Sequence, residues 1–77
     1  MDPLMLSQRR RRERFSPARA RAVRMEAKLT LAEIASALDV TPSAVSLWEQ
    51  GKRFPRPPVA DRYAAVLNRL ERDLRRG

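Results

Sequence analysis

The sequence predicts a small all-α domain of four or five helices, and three observations carry that prediction. Apolar residues recur at spacings of three and four: Ala20, Val23 and Ala27, then Ile34, Ala35 and Leu38, then Ala60, Tyr63, Leu67, Leu70 and Leu74. Helix-start signals punctuate the chain at Ser16-Pro17, at Thr30 with Glu33 three residues on, and at Thr41-Pro42. No internal repeat and no set of strands interrupts this pattern. A chain of 77 residues suffices for one domain with a thin core. The expected division is a flexible basic arm over residues 1–15 and a helical domain over residues 16–77.

Met1–Phe15 is polar and basic apart from Leu4, Met5 and Leu6. Arg9, Arg10, Arg11 and Arg12 are adjacent, and Arg14 follows Glu13; charges this dense repel one another, so disorder is expected in the free protein. The segment reads either as an arm that follows a phosphate backbone or enters a minor groove, or as a solubilising tail. Ser16 is the N-cap of a first helix running from Pro17 to about Ala27, with Ala20, Val23 and Ala27 inward. Arg19 and Arg21 are expected to point elsewhere, and Arg24 lies beside the apolar stripe. Lys28 and Leu29 link to the second helix, with Leu29 turned inward.

The second helix, Leu31–Leu38, opens on a capping box, Thr30 with Glu33. Its small Ala35 lets another helix cross close by. Asp39 stands where a tight turn favours glycine; aspartate is one of the few other residues that tolerates a left-handed conformation. Val40 should fill the space between the second and third helices. Thr41 and Pro42 start the third helix, Pro42–Gln50, whose apolar side is Val45 and Trp48 and which Gly51 ends. Two short helices joined by such a turn form a helix-turn-helix pattern.

Three prolines restrict the loop from Gly51 to Pro58, and Phe54 is expected to pack down on the domain. The last helix starts near Pro57 or Pro58 and meets no breaker before Gly77. Tyr63 and Leu67 close the core. Leu70 and Leu74 carry the stripe beyond what so small a domain is expected to cover, so they either pair with a second copy across a two-fold or belong to a fifth element folding back. The expected core is Val23, Leu29, Ile34, Ala35, Leu38, Val40, Val45, Trp48, Tyr63 and Leu67.

The net charge of +8 is unevenly placed. Residues 1–24 carry eight arginines against Asp2 and Glu13, and residues 51–77 carry eight basic side chains against Asp61, Glu71 and Asp73. Between them Lys28 faces Glu26, Glu33, Asp39 and Glu49, so basic charge flanks an acidic centre. A polyanion held from both sides is implied, and nucleic acid is the first candidate. The arginine excess over lysine suits fixed contacts to phosphates and base edges.

The same composition excludes much chemistry. No cysteine and no histidine are present, which removes disulfides, thiolate or imidazole metal sites and histidine acid–base work. No nucleophile–base pair and no glycine-rich phosphate loop appears, so an enzyme is not expected, nor a cofactor. No apolar run approaches the ~20 residues of a bilayer span, and no leader pattern is seen; the expected compartment is the cytoplasm. A chain this short leaves no room for a ligand pocket of ordinary size, so no small-molecule effector is expected.

Val23-Arg24, Leu29-Thr30, Glu33-Ile34-Ala35, Leu38, Val40, Val45-Ser46, Trp48-Glu49, Gly51-Lys52-Arg53, Pro55, Ala64 and Leu67 together resemble the Cro/C1-type (XRE-like) helix-turn-helix family of phage and bacterial repressors. The resemblance covers about residues 20–67. Ser46-Leu47-Trp48-Glu49 followed by Gly51-Lys52-Arg53 and Pro55 is its most specific stretch. It implies a lambda-repressor-like fold of four or five helices that binds operator DNA as a homodimer.

The resemblance also assigns roles. Arg24 and Glu49 match a pair that forms a salt bridge between the first helix and the end of the third; a partly buried guanidinium needs such a partner, the alternative being two solvated charges. Pro42, Ser43, Ser46 and Leu47 match positions facing base edges. Thr30, Thr41, Lys52, Arg53 and Arg56 are the candidate backbone contacts, beside the arm arginines. This chain departs from the family at Leu31, where a glutamine is usual, and after Leu67, where the helix continues instead of breaking. Leu70 and Leu74 are the candidate dimer residues. The serines are tolerant of base identity, so specificity is expected to lean on DNA shape, dimer spacing and the arm.

The function these features imply is a sequence-specific transcriptional regulator acting by operator occupancy, as a small Cro-like or prophage repressor. The alternatives are an antitoxin-type regulator and a protein-interaction bundle that has lost DNA.

Overall fold

The computed structural model describes residues 16–76. The arm arginines Arg9, Arg10, Arg11, Arg12 and Arg14, and Gly77, lie outside the described residues. Among the described residues there are four helices and no strand: α1 (Pro17–Glu26), α2 (Leu31–Leu38), α3 (Pro42–Glu49) and α4 (Val59–Arg76).

The first three helices begin and end by the same two devices. Each N-cap hydroxyl accepts the backbone N–H three residues on, Ser16 from Arg19, Thr30 from Glu33 and Thr41 from Ala44. At Thr30 the Glu33 carboxylate also accepts the cap's own N–H at 3.0 Å, completing the capping box. Each C-terminus closes on a residue of positive φ: Lys28 at 58°, Asp39 at 57° and Gly51 at 72°. In each, the next N–H reaches back to the helix: Leu29 to the Arg24 carbonyl, Val40 to Ala35 and Lys52 to Leu47, at 3.0 to 3.1 Å. These are Schellman closures. They stop the chain abruptly, so α1, α2 and α3 stay at eight to ten residues and turn sharply into one another.

The core is Ala20, Val23, Ile34, Ala35, Leu38, Val45, Trp48, Tyr63 and Leu67, with Leu29, Val40, Leu70 and Leu74 among the partly buried residues packed on it. Ala35 is 1 % exposed at the crossing of α2 and α3. Trp48 of α3 rests on Tyr63 of α4, with ring centroids 5.2 Å apart and planes tilted by 45°. So few buried side chains leave little redundancy. Truncating Ile34, Leu38 or Leu67 to alanine should each cost about 2–5 kcal/mol, against the ~5–15 kcal/mol that holds a small domain folded.

Four expectations are corrected. Leu70 and Leu74 are covered in part by the domain itself, because α4 runs unbroken to Arg76 and lies along α1; no fifth helix folds back among the described residues. Arg19 does not point away from the packing: it donates to the Asn68 side chain at 3.0 Å and pairs with Glu71, stapling α1 to α4. Phe54 is not covered by the core; it is 54 % exposed on the proline-restricted loop. Ala27 ends α1 instead of continuing its inner face, being the cap before the left-handed Lys28.

Candidate nucleic-acid interface

The orientation of α3 follows from a two-sided constraint. On one side Val45 and Trp48 are buried in the core. At its C-terminus Glu49 is gripped by Arg24 of α1, Nε to Oε2 at 2.6 Å and Nη2 to Oε1 at 2.9 Å. The third guanidinium nitrogen donates to the Leu29 carbonyl at 3.0 Å. The two side chains are only 15 % and 6 % exposed. Hydrogen bonding to Glu49 raises the Arg24 pKa further above its ordinary value, against the opposing effect of burial. Tyr63 lies next to the same pair; burial, aided by the Glu49 charge, pushes its hydroxyl up to about 12, with Arg24 acting the other way.

With Val45 and Trp48 inward, a helix of 3.6 residues per turn must turn positions 43, 46 and 47 outward. Ser43 and Pro42 are exposed, and Ser46 and Leu47 are half-buried. A fifth side chain shares this face. Gln50, exposed at the end of α3, donates from Nε2 to Ser46 Oγ at 2.9 Å. Positions 43, 46 and 50 stand three and four apart, so the sequence already carried this signal; the expected helix there made Gln50 only its last residue. Gln50 offers an amide that donates and accepts together, which the serines alone lack.

Around this face lie the residues suited to phosphates. Thr41 Oγ1 accepts from Ala44 at 3.2 Å and its O–H remains a donor. The first turn of α3 carries no acidic residue, so its helix dipole is uncompensated. Lys52, Arg53 and Arg56 are exposed on the following loop. The backbone N–H groups of Lys52 and Arg53 already donate to the Leu47 carbonyl, at 3.0 and 3.4 Å, so these residues can reach phosphates only through their side chains. Thr30 is exposed at the start of α2, but Glu33 sits in that first turn and repels an anion there. The face therefore gathers Thr41, Pro42, Ser43, Ser46 and Leu47 with Gln50; Thr30 shares its position with an acid.

Among the described residues, no group of three or more His, Cys, Asp or Glu side chains could hold a metal ion, and no helix is long and apolar enough to cross a membrane. A family model described as a helix-turn-helix domain matches residues 17–76. No curated protein matches the chain, and no solved structure does.

Proposed function

Because this chain belongs to the helix-turn-helix domain family, we propose that it is a sequence-specific double-stranded DNA-binding regulator of the Cro/C1 kind that acts in the cytoplasm by occupying an operator. The observation that carries this reading is the outward face of α3: Ser43, Ser46 and Gln50 stand in line on a short helix whose other side is fixed by Trp48, Val45 and the Arg24–Glu49 pair. A helix so presented suits a major groove about 12 Å wide.

In this reading α3 is the recognition helix. Ser43, Ser46 and Leu47 meet base edges, with Pro42 at the groove rim and Gln50 as the side chain able to make a paired contact to adenine. Thr41, Lys52, Arg53 and Arg56 hold the backbone and fix the register, and the arm arginines Arg9–Arg12 and Arg14 add phosphate or minor-groove contacts. The regulator works as a homodimer, with the part-exposed Leu70 and Leu74 at the edge of α4 as the joining surface. No effector ligand and no catalytic step enters.

The test is unbiased selection of duplex DNA by the full chain. Enrichment of a site with two-fold symmetry and fixed half-site spacing supports both the site and the dimer. Recovery of unenriched DNA refutes sequence-specific reading. One observation favours a second reading, a protein-interaction bundle: Glu33 in the first turn of α2 and Asp39 just after its end are both exposed. It would require that the chain bind no duplex even at low salt.

A further inference from the structure

The outward face of α4 carries charge that the interface above does not use. Arg62, Arg69, Arg72 and Arg76 are all exposed, and none has an ion-pair partner among the described residues. The charged groups that do pair on this helix, Glu71 with Arg19 and with Arg75, lie on its flank toward α1. At 3.6 residues per turn the four arginines fall within ~80° of arc, centred about 150° from the core-facing line of Tyr63, Leu67, Leu70 and Leu74. They run along ~21 Å of helix. Two carboxylates flank them, Asp73, which shares a shallow recess with Arg69, Arg72 and Arg76, and Asp61 beside Arg62; the stripe keeps a net positive charge.

Its direction matters as much as its charge. α3 and α4 meet through Trp48 and Tyr63, so each helix turns its opposite side away from that contact. Ser43 and Ser46 lie on the far side of α3, and the arginines lie on the far side of α4. The two faces thus lie on different helices, each on the side turned from the Trp48–Tyr63 contact.

We propose that the outer face of α4 is a second nucleic-acid surface, one that holds the backbone of another duplex while α3 occupies the first, so that the protein bridges two DNA segments. This rests on the DNA-binding reading and extends it. Guanidinium groups bind phosphate oxygens in a planar, two-pronged geometry, and ~21 Å of B-DNA presents about a dozen phosphates. A membrane surface fits less well. A helix lying on lipid needs apolar residues on the side it presents, and the apolar residues of α4, the part-exposed Leu70 and Leu74 included, lie on the side away from the arginines. Contacts of this kind read no sequence and weaken with salt.

The experiment immobilises one random-sequence duplex, saturates it with the full chain, washes, and measures capture of a second, fluorescent duplex over a salt series. The same capture is run with a variant carrying Arg62→Gln, Arg69→Gln, Arg72→Gln and Arg76→Gln, whose melting curve is checked first. Capture by the natural chain, reduced on the order of tenfold in the variant with single-duplex affinity within about twofold, is the expected result. Capture that persists in the variant overturns the proposal, because two recognition faces of a dimer or the arm would then be bridging. An equal loss of single-duplex affinity also overturns it, since the arginines would belong to the first interface. Binding without capture refutes the second surface alone, whereas no binding to any duplex refutes the DNA-binding reading itself. Co-sedimentation of the natural chain, but not the variant, with phosphatidylserine vesicles in the absence of capture would reassign the face to a membrane and overturn the proposal.

Discussion

The Arg24 guanidinium binds both carboxylate oxygens of Glu49, at 2.6 and 2.9 Å, and ties α1 to the last residue of α3. Its remaining bond, to the Leu29 carbonyl, secures the turn between α1 and α2 as well. One side chain thus fixes three segments. The angle at which α3 is presented depends on it, although neither residue is on the outward face.

Removing one partner should be worse than removing both. Arg24→Met or Glu49→Leu alone leaves a nearly buried charge unmatched and should destabilise the fold by about 3 kcal/mol. A double replacement, Arg24→Met with Glu49→Leu, strands nothing and should recover much of that loss. Thermal melts of the three variants check this; a double variant as unstable as the sum of the singles would mean the pair is not coupled.

Tyr63 sets an alkaline limit. Its hydroxyl is pushed up to about 12 in the fold, whereas an unfolded tyrosine titrates near ~10. The native state therefore holds this proton more tightly than the unfolded chain. The stabilisation is complete below pH ~10 and is lost as pH rises toward ~12, by roughly 2–3 kcal/mol in all. Urea denaturation across that range should show the decline in the natural chain. A Tyr63→Phe variant should lose stability less steeply over the same interval, and an identical decline in both would assign it to other groups.

Lys28 and Asp39 adopt the same left-handed conformation as Gly51, yet only one of the three is glycine. Lysine gains nothing from its side chain there and bears the steric cost of its Cβ. Lys28→Gly should therefore stabilise the domain by about 0.5–1 kcal/mol, after allowing for the looser unfolded chain. Asp39→Gly should give less, since aspartate tolerates the region better. Gly51→Ala should destabilise by about 1 kcal/mol; its Cβ would meet only Pro17 Cγ at an ordinary 3.6 Å, so the cost is in the backbone. Denaturant midpoints for the three variants should fall in that order.

Much of this fold was legible because its helix ends are written in local chemistry. Ser16, Thr30 and Thr41 announce their helices, and Asp39 announces its turn, without reference to the rest of the chain. Lys28 was not legible, because its conformation is imposed by the closure of α1, where Leu29 packs inward, and not by any preference of lysine. Arg19 and Leu74 failed for a related reason: whether a residue on the margin of a helical stripe is covered depends on how closely α4 lies along α1, and periodicity carries no crossing angle. Phe54 misled because an apolar side chain is expected to find a core, yet a loop stiffened by prolines cannot bend to place it there. On the outward face, the spacing of Ser43, Ser46 and Gln50 was visible, but the bond joining the last two depends on side-chain rotamers.

That bond gives the most specific expectation for recognition. Gln50 is held over Ser46 by a 2.9 Å hydrogen bond from Nε2, which leaves its carbonyl oxygen and one amide proton directed by the pairing. An amide so held can meet the N6 and N7 edge of an adenine, a contact worth ~1–3 kcal/mol of discrimination. Gln50→Ala should therefore relax the preference at one base pair per half-site, and leave the salt dependence of binding unchanged, because no phosphate contact is lost. Ser46→Ala removes the partner that orients the amide and should relax the same base pair, more weakly. Lys52→Ala should do the converse: affinity falls for every sequence and the salt slope shrinks by about one, with the preferred site intact. Selection and salt titration on the three variants separate these outcomes. If Gln50→Ala returned the same site with the same stringency, Gln50 would be removed from the reading face and discrimination would fall to DNA shape and the serines.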